Sequence, residues 1–139
     1  MSSHLILDTG PWVALHFRDD AHHAWAKSQF AQHAGPFLTC EAVVAETCFL
    51  LERSGFDPGK ALALIEREVV QMAMSLANKV SVVRALFDRY ENVPASLADA
   101  CLVRMSELYG PCRVITLDSD FRIHRRHGRK VIPVLTPRP

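Results

Sequence analysis

Short apolar runs alternate with longer amphipathic stretches along this chain. The runs at residues 4–8 and 114–118 are largely apolar and contain no Gly or Pro, a pattern that predicts buried parallel strands. The longer stretches predict helices, two of which are followed by the stop signals Gly55 and Gly110-Pro111. The predicted order is strand 4–8, helices 10–17, 22–34, 41–54 and 58–67, strand 69–73, helices 76–90 and 97–109, strand 113–117, helix 120–127 and strand 131–135.

These elements predict an α/β fold. Helices interleaved with short buried strands favour a three-layer α/β/α sandwich around a mostly parallel central sheet. The chain has 139 residues, 49% of them hydrophobic and 22% charged, which suits one domain over residues 1–139. Because it shows neither a membrane-spanning stretch nor a signal peptide, we expect a cytoplasmic protein without a membrane partner.

Two acidic residues close predicted strands. Asp8 closes the first apolar run and Asp118 closes the run near the carboxyl terminus. In open α/β sheets the ligand crevice lies beyond the carboxyl ends of the strands, so these two carboxylates are expected on one rim. The alternative for Asp8, which precedes Thr9-Gly10-Pro11, is a turn or helix-cap role.

Two further acids lie inside apolar helical stretches. The neighbours of Glu46 at three and four positions along the helix are apolar, so an ion pair with a distant Arg is the alternative to a functional role. Asp99 stands three residues after Ser96, which is the spacing of a capping box. One carboxylate cluster accounts for all four acids, Asp8, Glu46, Asp99 and Asp118, at once.

The residue types favour a hard cation. Oxygen ligands suit Mg²⁺ or Mn²⁺, and a carboxylate site beside basic residues suits phosphodiester hydrolysis. The four cysteines lack Cys-x-x-Cys spacing and look like packed, reduced thiols, although two disulfides are the alternative. They are Cys40, Cys48, Cys101 and Cys112.

Positive charge is concentrated near the carboxyl terminus. The net charge is +1, but six of the 16 Lys and Arg residues and none of the 15 acids lie from Arg122 onward. We expect Arg122, Arg125 and Arg126 to contact the phosphates of a polyanion, with a solvated helix end as the alternative.

Four segments together resemble the successive acidic motifs of PIN-domain ribonucleases. Each motif alone is weak evidence, whereas the ordered set over nearly the whole chain is specific, and the length resembles that of VapC-type toxins. The segments are LILDTGPWVAL at 5–15, CEAVVAETCFLL at 40–51, SLADACLVRM at 96–105 and VITLDSDF at 114–121.

The resemblance implies roles for particular residues. It makes Asp8 and Asp99 the principal metal ligands, with Glu46 completing the set or holding a water and Asp118 as the fourth acid. Supporting hydrogen bonds would come from Thr9 and Thr116. Strand periodicity does not decide between Asp118 and Asp120; we prefer Asp118, which closes the strand, with Asp120 as a helper or cap.

The resemblance also implies an activity and partners. The activity is cleavage of RNA by an endoribonuclease that depends on Mg²⁺ or Mn²⁺. The partners are a small antitoxin protein that inhibits the enzyme and a second copy of the chain in a homodimer. Trp12 and Trp25 are candidates for an interface, with the core as the alternative. The competing hypotheses are a catalytically silent PIN-like module that binds RNA or protein, and a phosphatase or DNA nuclease using the same acids.

Overall fold

The computed structural model describes residues 3–89 and 95–138. The strands are β1 (His4–Leu7), β2 (Phe37–Thr39), β3 (Val70–Met72), β4 (Cys112–Ile115), β5 (Arg125–Arg126), β6 (Lys130–Val131) and β7 (Val134–Leu135). The helices are α1 (Thr9–His16), α2 (His23–Gln32), α3 (Glu41–Arg53), α4 (Gly59–Glu66), α5 (Val80–Arg89) and α6 (Leu97–Leu108), and there are 3-10 turns at Leu76–Asn78 and Ser119–Arg122.

A parallel sheet of five strands forms the centre, in the order β3-β2-β1-β4-β7. The chain moves outward from β1 to β2 and β3, and then crosses back to place β4 on the other side of β1. The order therefore reverses between β1 and β4, and ligands of open α/β sheets bind at such reversals, beyond the carboxyl ends of the strands. Strands β5 and β6 form a separate antiparallel hairpin.

The apolar strand residues form the core. Ile6 and Leu7 of β1 and Val114 and Ile115 of β4 are fully buried, and burying one such side chain contributes about 1.5 to 3 kcal/mol. Helix α1 packs against α2, α3 and α4, whereas α6 packs against α5 and against the two central strands. Helices thus flank a parallel sheet, which confirms the predicted α/β sandwich. In the described parts of the chain, no helix is both long and apolar enough to span a membrane.

Most predicted elements are present, and the differences are local. Strand β2 was not predicted because three residues after Gly35-Pro36 give too short an apolar run. The helix predicted over 76–90 is a 3-10 turn followed by α5, and Tyr90 lies outside the described residues. Proline interrupts the predicted strand 131–135 at Pro133, which separates β6 from β7.

The prediction of a helix over 120–127 is wrong in its second half. Only Ser119–Arg122 is helical, as a 3-10 turn, and the chain then enters β5 at Arg125.

All four cysteines are free, as predicted. Trp12 is fully buried and Trp25 is partly buried against the core, so both match the core alternative.

Candidate active site

Asp8 is the buried acid at the reversal of the sheet. It follows β1 and is the N-cap of α1, where its Oδ1 accepts a hydrogen bond from the backbone N–H of Thr9 at 2.7 Å. Its Oδ2 accepts a second bond, at 2.6 Å, from the hydroxyl of Thr116. Only 5% of Asp8 is exposed. The cap alternative is therefore correct for the backbone, but it does not explain why the carboxylate is buried beside other acids.

Thr116 connects the ends of the two central strands. Its hydroxyl donates to Asp8 and accepts the backbone N–H of Asp118 at 2.9 Å. Asp118 in turn caps the 3-10 turn, because its Oδ1 accepts the backbone N–H of Asp120 at 2.8 Å. A network of hydrogen bonds thereby fixes the side chains of Asp8 and Asp118 relative to each other.

Asp99 reaches the same region from the first turn of α6. Its Oδ2 accepts the backbone N–H of Ser96 at 3.2 Å, and its own N–H donates to the Ser96 hydroxyl at 3.0 Å. The capping box considered in the sequence is thus present. Capping uses only one carboxylate oxygen, so it does not exclude a second role for Asp99.

Glu46 is more exposed than its apolar neighbours in sequence led us to expect. Its side chain is exposed on α3, and Phe49, about one turn further along, is 60% exposed, so this side of the helix does not face the core. Glu46 nevertheless lines the same cleft as Asp8 and Asp99. The ion pair with a distant Arg is not observed among the described residues.

The four acids share one cleft of about 520 Å³. Asp20, in the loop between α1 and α2, is a fifth acid there, and it was missed because a polar loop gives no pattern that distinguishes one Asp from another. Asp120 is not among the described residues that line the cleft, and none of those residues is basic. The complete lining is Asp8, Thr9, Gly10, Val13, Asp20, Glu46, Leu50, Ser96, Asp99, Leu117 and Asp118.

A larger cavity extends from the amino ends of the two central strands to the edge strand β3. It measures about 880 Å³ and includes His4 and Arg113, near the amino ends of β1 and β4, and no acid is among the described residues that line it. Charge therefore identifies the smaller cleft as the candidate active site, because its convergent carboxylates can hold a catalytic metal ion and the described lining of the larger cavity has none.

Burial and mutual repulsion shift the pKa values of two of the acids. Burial, together with the negative charges of Asp99 and Asp118, raises the pKa of Asp8 to about 6, although the bonds from Thr116 and Thr9 act in the opposite direction. Burial and the charge of Asp118 also raise the pKa of Asp99, against the lowering effects of Ser96 and His124. Acids that raise one another's pKa need a neutralising partner when they ionise together.

The donor set fits a hard divalent cation. The polar atoms of the cleft are mainly carboxylate oxygens, and the Thr9 hydroxyl is buried there without a hydrogen-bond partner among the described residues. Within residues 3–89 and 95–138, no three His, Cys, Asp or Glu side chains already form a metal-binding group. The residues therefore have the right chemistry, while their side chains are not yet arranged as a closed coordination shell.

The three candidate RNA-binding arginines do not lie together. Arg122 is exposed beside Asp118, in a small cavity that adjoins the cleft. The Nη1 group of Arg125 donates to the carbonyls of residues 122, 123 and 124. Arg126 donates to the carbonyl of Gly110 and to the sulfur of Cys112, which lie at the amino end of β4. Asp118 follows the carboxyl end of that strand, so Arg126 is far from it.

Comparisons with known proteins agree with this fold. The sequence model described as the PIN domain matches residues 5–126. No curated protein matches the sequence. Among solved structures, the chain is similar to the Mycobacterium tuberculosis toxin VapC20, which is described as cleaving the sarcin-ricin loop. The identity is 24% and the TM-score 0.79, over 91% of this chain and 98% of that one, which establishes a common fold.

Proposed function

The chain belongs to the PIN-domain family, and on that basis we propose that it is a metal-dependent endoribonuclease, the toxin of a VapBC-type toxin–antitoxin pair. The observation that supports this most directly is the convergence of Asp8, Glu46, Asp99 and Asp118 in one cleft without a basic side chain among its described lining residues. Such a cleft repels a bare phosphodiester, so it is suited to one only together with a cation.

Proteins of this family generally depend on divalent metal ions, and we propose Mg²⁺ or Mn²⁺ here. Asp8 and Asp99 would be the principal ligands, Asp118 would supply the fourth acid, and Glu46 would complete the set or hold a bound water. When bound, the ion would polarise a water and the phosphate and offset the negative charge of the transition state.

The chain's own residues orient these acids. Thr9 and Thr116 hold both oxygens of Asp8 by hydrogen bonds and so restrict its rotation. Ser96 holds one oxygen of Asp99, whose other oxygen has no hydrogen bond to a described residue. Asp120 supports Asp118 through its backbone N–H and is a helper in this scheme. Groups held in this way lose little further entropy when substrate binds.

RNA is the proposed substrate, with Arg122 as the arginine best placed to contact it. We assign Arg125 and Arg126 a structural role instead, because they donate to backbone carbonyls and to Cys112. An antitoxin protein as inhibitor, a homodimer and action in the cytoplasm complete the proposal.

Replacing Asp99 by Asn tests the proposal. In Asp99→Asn the amide oxygen still accepts the N–H of Ser96, so α6 remains capped while the negative charge is lost. We expect the loss of at least about a hundredfold in RNA cleavage with Mg²⁺ or Mn²⁺, since removal of a metal ligand affects the transition state directly. Asp88→Asn, on the exposed end of α5, is the matched control and should cleave normally.

Three results would contradict the proposal. Full activity in Asp99→Asn would remove the assigned role of the cleft. Binding of RNA by the native protein without cleavage with either metal would favour the silent RNA-binding module. Faster hydrolysis of DNA or of a phosphomonoester than of RNA would favour the DNA nuclease or the phosphatase.

A further inference from the structure

A second cavity of about 170 Å³ adjoins the acidic cleft, and the two share the side chains of Leu117 and Asp118. On the far side of Asp118 the polar lining changes from acidic to basic and hydroxyl groups, which are those of His22, Ser119, Arg122 and Thr136. A site for hydrogen-bond acceptors therefore lies next to a site for a cation.

One turn in the loop between α1 and α2 contributes a lining residue to each of the two cavities. The Oδ1 of Asp20 accepts the backbone N–H of His22 at 2.8 Å, and the N–H of Asp20 donates to the carbonyl of Phe17 at 3.0 Å. Asp20 lines the acidic cleft while His22 lines the adjoining cavity. The imidazole of His22 makes no capping bond to α2, so its role in the fold does not explain its position.

Arg122 forms the opposite wall of the small cavity. It ends the 3-10 turn that Asp118 caps, and its carbonyl accepts a bond from Arg125 at 2.7 Å, which fixes the backbone there. The side chain is exposed, and the ion pair found in the described parts of the chain, Arg104 with Glu107, does not involve it. The guanidinium is thus available to a ligand.

We propose that this cavity binds a phosphate of the RNA next to the one at the acidic cleft, with His22 and Arg122 as hydrogen-bond donors. The inference rests on the proposed function and adds His22 as a substrate-positioning residue. The volume suits a phosphate group and is too small for a nucleoside as well. Since Asp118 on the shared wall repels an isolated anion, a phosphate within a polynucleotide should bind better than inorganic phosphate.

Binding of a short labelled single-stranded RNA, measured by fluorescence anisotropy over a range of NaCl concentrations, tests the proposal. The measurement uses the native background with Ca²⁺ in place of Mg²⁺, so that a cation is available to the acidic cleft while cleavage is suppressed. We expect His22→Ala and Arg122→Ala each to weaken binding by about threefold to tenfold, and Arg122→Ala to reduce the slope of log K against log salt by about one. Arg129→Ala, an exposed residue that lines neither cavity, should change neither quantity.

The outcomes separate this inference from the proposed function. Unchanged binding in both variants, in proteins that unfold as cooperatively as the parent, would overturn the subsite even if the native protein cleaves RNA. Weakened binding in both variants would support the subsite even if the native protein never cleaves. The absence of RNA binding by the parent would also overturn it.

Discussion

The carboxylate of Asp8 is where burial and charge oppose each other most strongly. Only 5% of the residue is exposed, and this burial, together with the negative charges of two nearby acids, raises its pKa to about 6. A carboxyl group whose pKa is higher in the folded than in the unfolded chain binds its proton more tightly when folded. Its protonation therefore stabilises the fold at low pH, and that contribution is lost as the pH rises through about 6.

Replacing Asp8 by Asn should therefore stabilise the metal-free protein at neutral pH. A pKa shift from 3.8 to about 6 corresponds to about 3 kcal/mol, an upper value because the amide makes weaker hydrogen bonds with Thr9 and Thr116. Urea unfolding in EDTA checks this: Asp8→Asn should gain stability at about pH 7 and almost none at about pH 4. The same gain at both pH values, or no gain at either, would contradict it.

Thr116 and Thr47 are buried threonines with opposite roles. The Thr116 hydroxyl bonds to Asp8 and Asp118, so Thr116→Val should reduce RNA cleavage by about tenfold to a hundredfold, whereas Thr116→Ser should retain it. The Thr47 hydroxyl has no partner among the described residues, so Thr47→Val should raise the free energy of unfolding by about 1 kcal/mol. Cleavage rates and urea unfolding of the three variants test both expectations, and equal effects of the two valines would refute the distinction.

Residue by residue, the sequence indicated which acids are unusual but not how buried they are. Asp8 and Asp118 were recognisable because an acid that ends an apolar parallel strand lies where the ligand crevice of the sheet opens. The exposure of Glu46 depends on what packs against α3, which lies far away in sequence. Asp20 enters the cleft through a loop, where no hydrophobic period reports direction.

At the scale of elements, the start of α6 combines a structural and a proposed catalytic feature. Ser96 caps the helix through the N–H of Asp99, and Asp99 returns a bond to the N–H of Ser96. The side chain that stabilises the helix therefore also orients an acid of the cleft.

Ser96→Ala should cost about 1 kcal/mol of stability, because the helix loses its N-cap acceptor. It should also lower RNA cleavage, since one restraint on Asp99 is lost. The matched control is Ser81→Ala, on the exposed surface of α5, where alanine's helix propensity makes the change neutral or slightly stabilising. Urea midpoints and initial cleavage rates would show whether the two serines differ; indistinguishable values would mean that the capping box does not matter.

Elements were predictable where the local pattern alone determines them. Long amphipathic helices such as α3 and α6 and the two apolar strands β1 and β4 have that property. Strand β2 has three residues, and only its pairing with β1 and β3 makes it a strand. The helix ends after residue 122 because the following residues form β5, which pairs with β6. The periodicity of the sequence is helical there and does not reveal this pairing.

At the scale of the whole molecule, topology brings the acids together. Asp8 and Asp118 are 110 residues apart in the sequence, yet β1 and β4 are neighbours in the sheet, and α3 and α6 contact each other near the same end. A fold that collects negative charge in this way loses stability at neutral pH unless a cation binds, which links metal affinity to folding.

Divalent metal should therefore stabilise the native protein, and more so at higher pH. A ligand that binds only the folded state at a hundred times its Kd contributes about 2.7 kcal/mol, which corresponds to a rise in Tm of several degrees for a chain of this size. The rise with Mg²⁺ or Mn²⁺ should be large at about pH 7.5 and small at about pH 5, where Asp8, with a pKa of about 6, is mostly protonated and competes with the metal. Asp88→Asn should behave like the native protein and Asp99→Asn should lose most of the shift, with NaCl of equal ionic strength as the reference. A Tm that depends on ionic strength alone would mean that the converging carboxylates do not bind the metal ion specifically. The proposal that metal binding offsets their mutual repulsion and stabilises the fold would then be wrong.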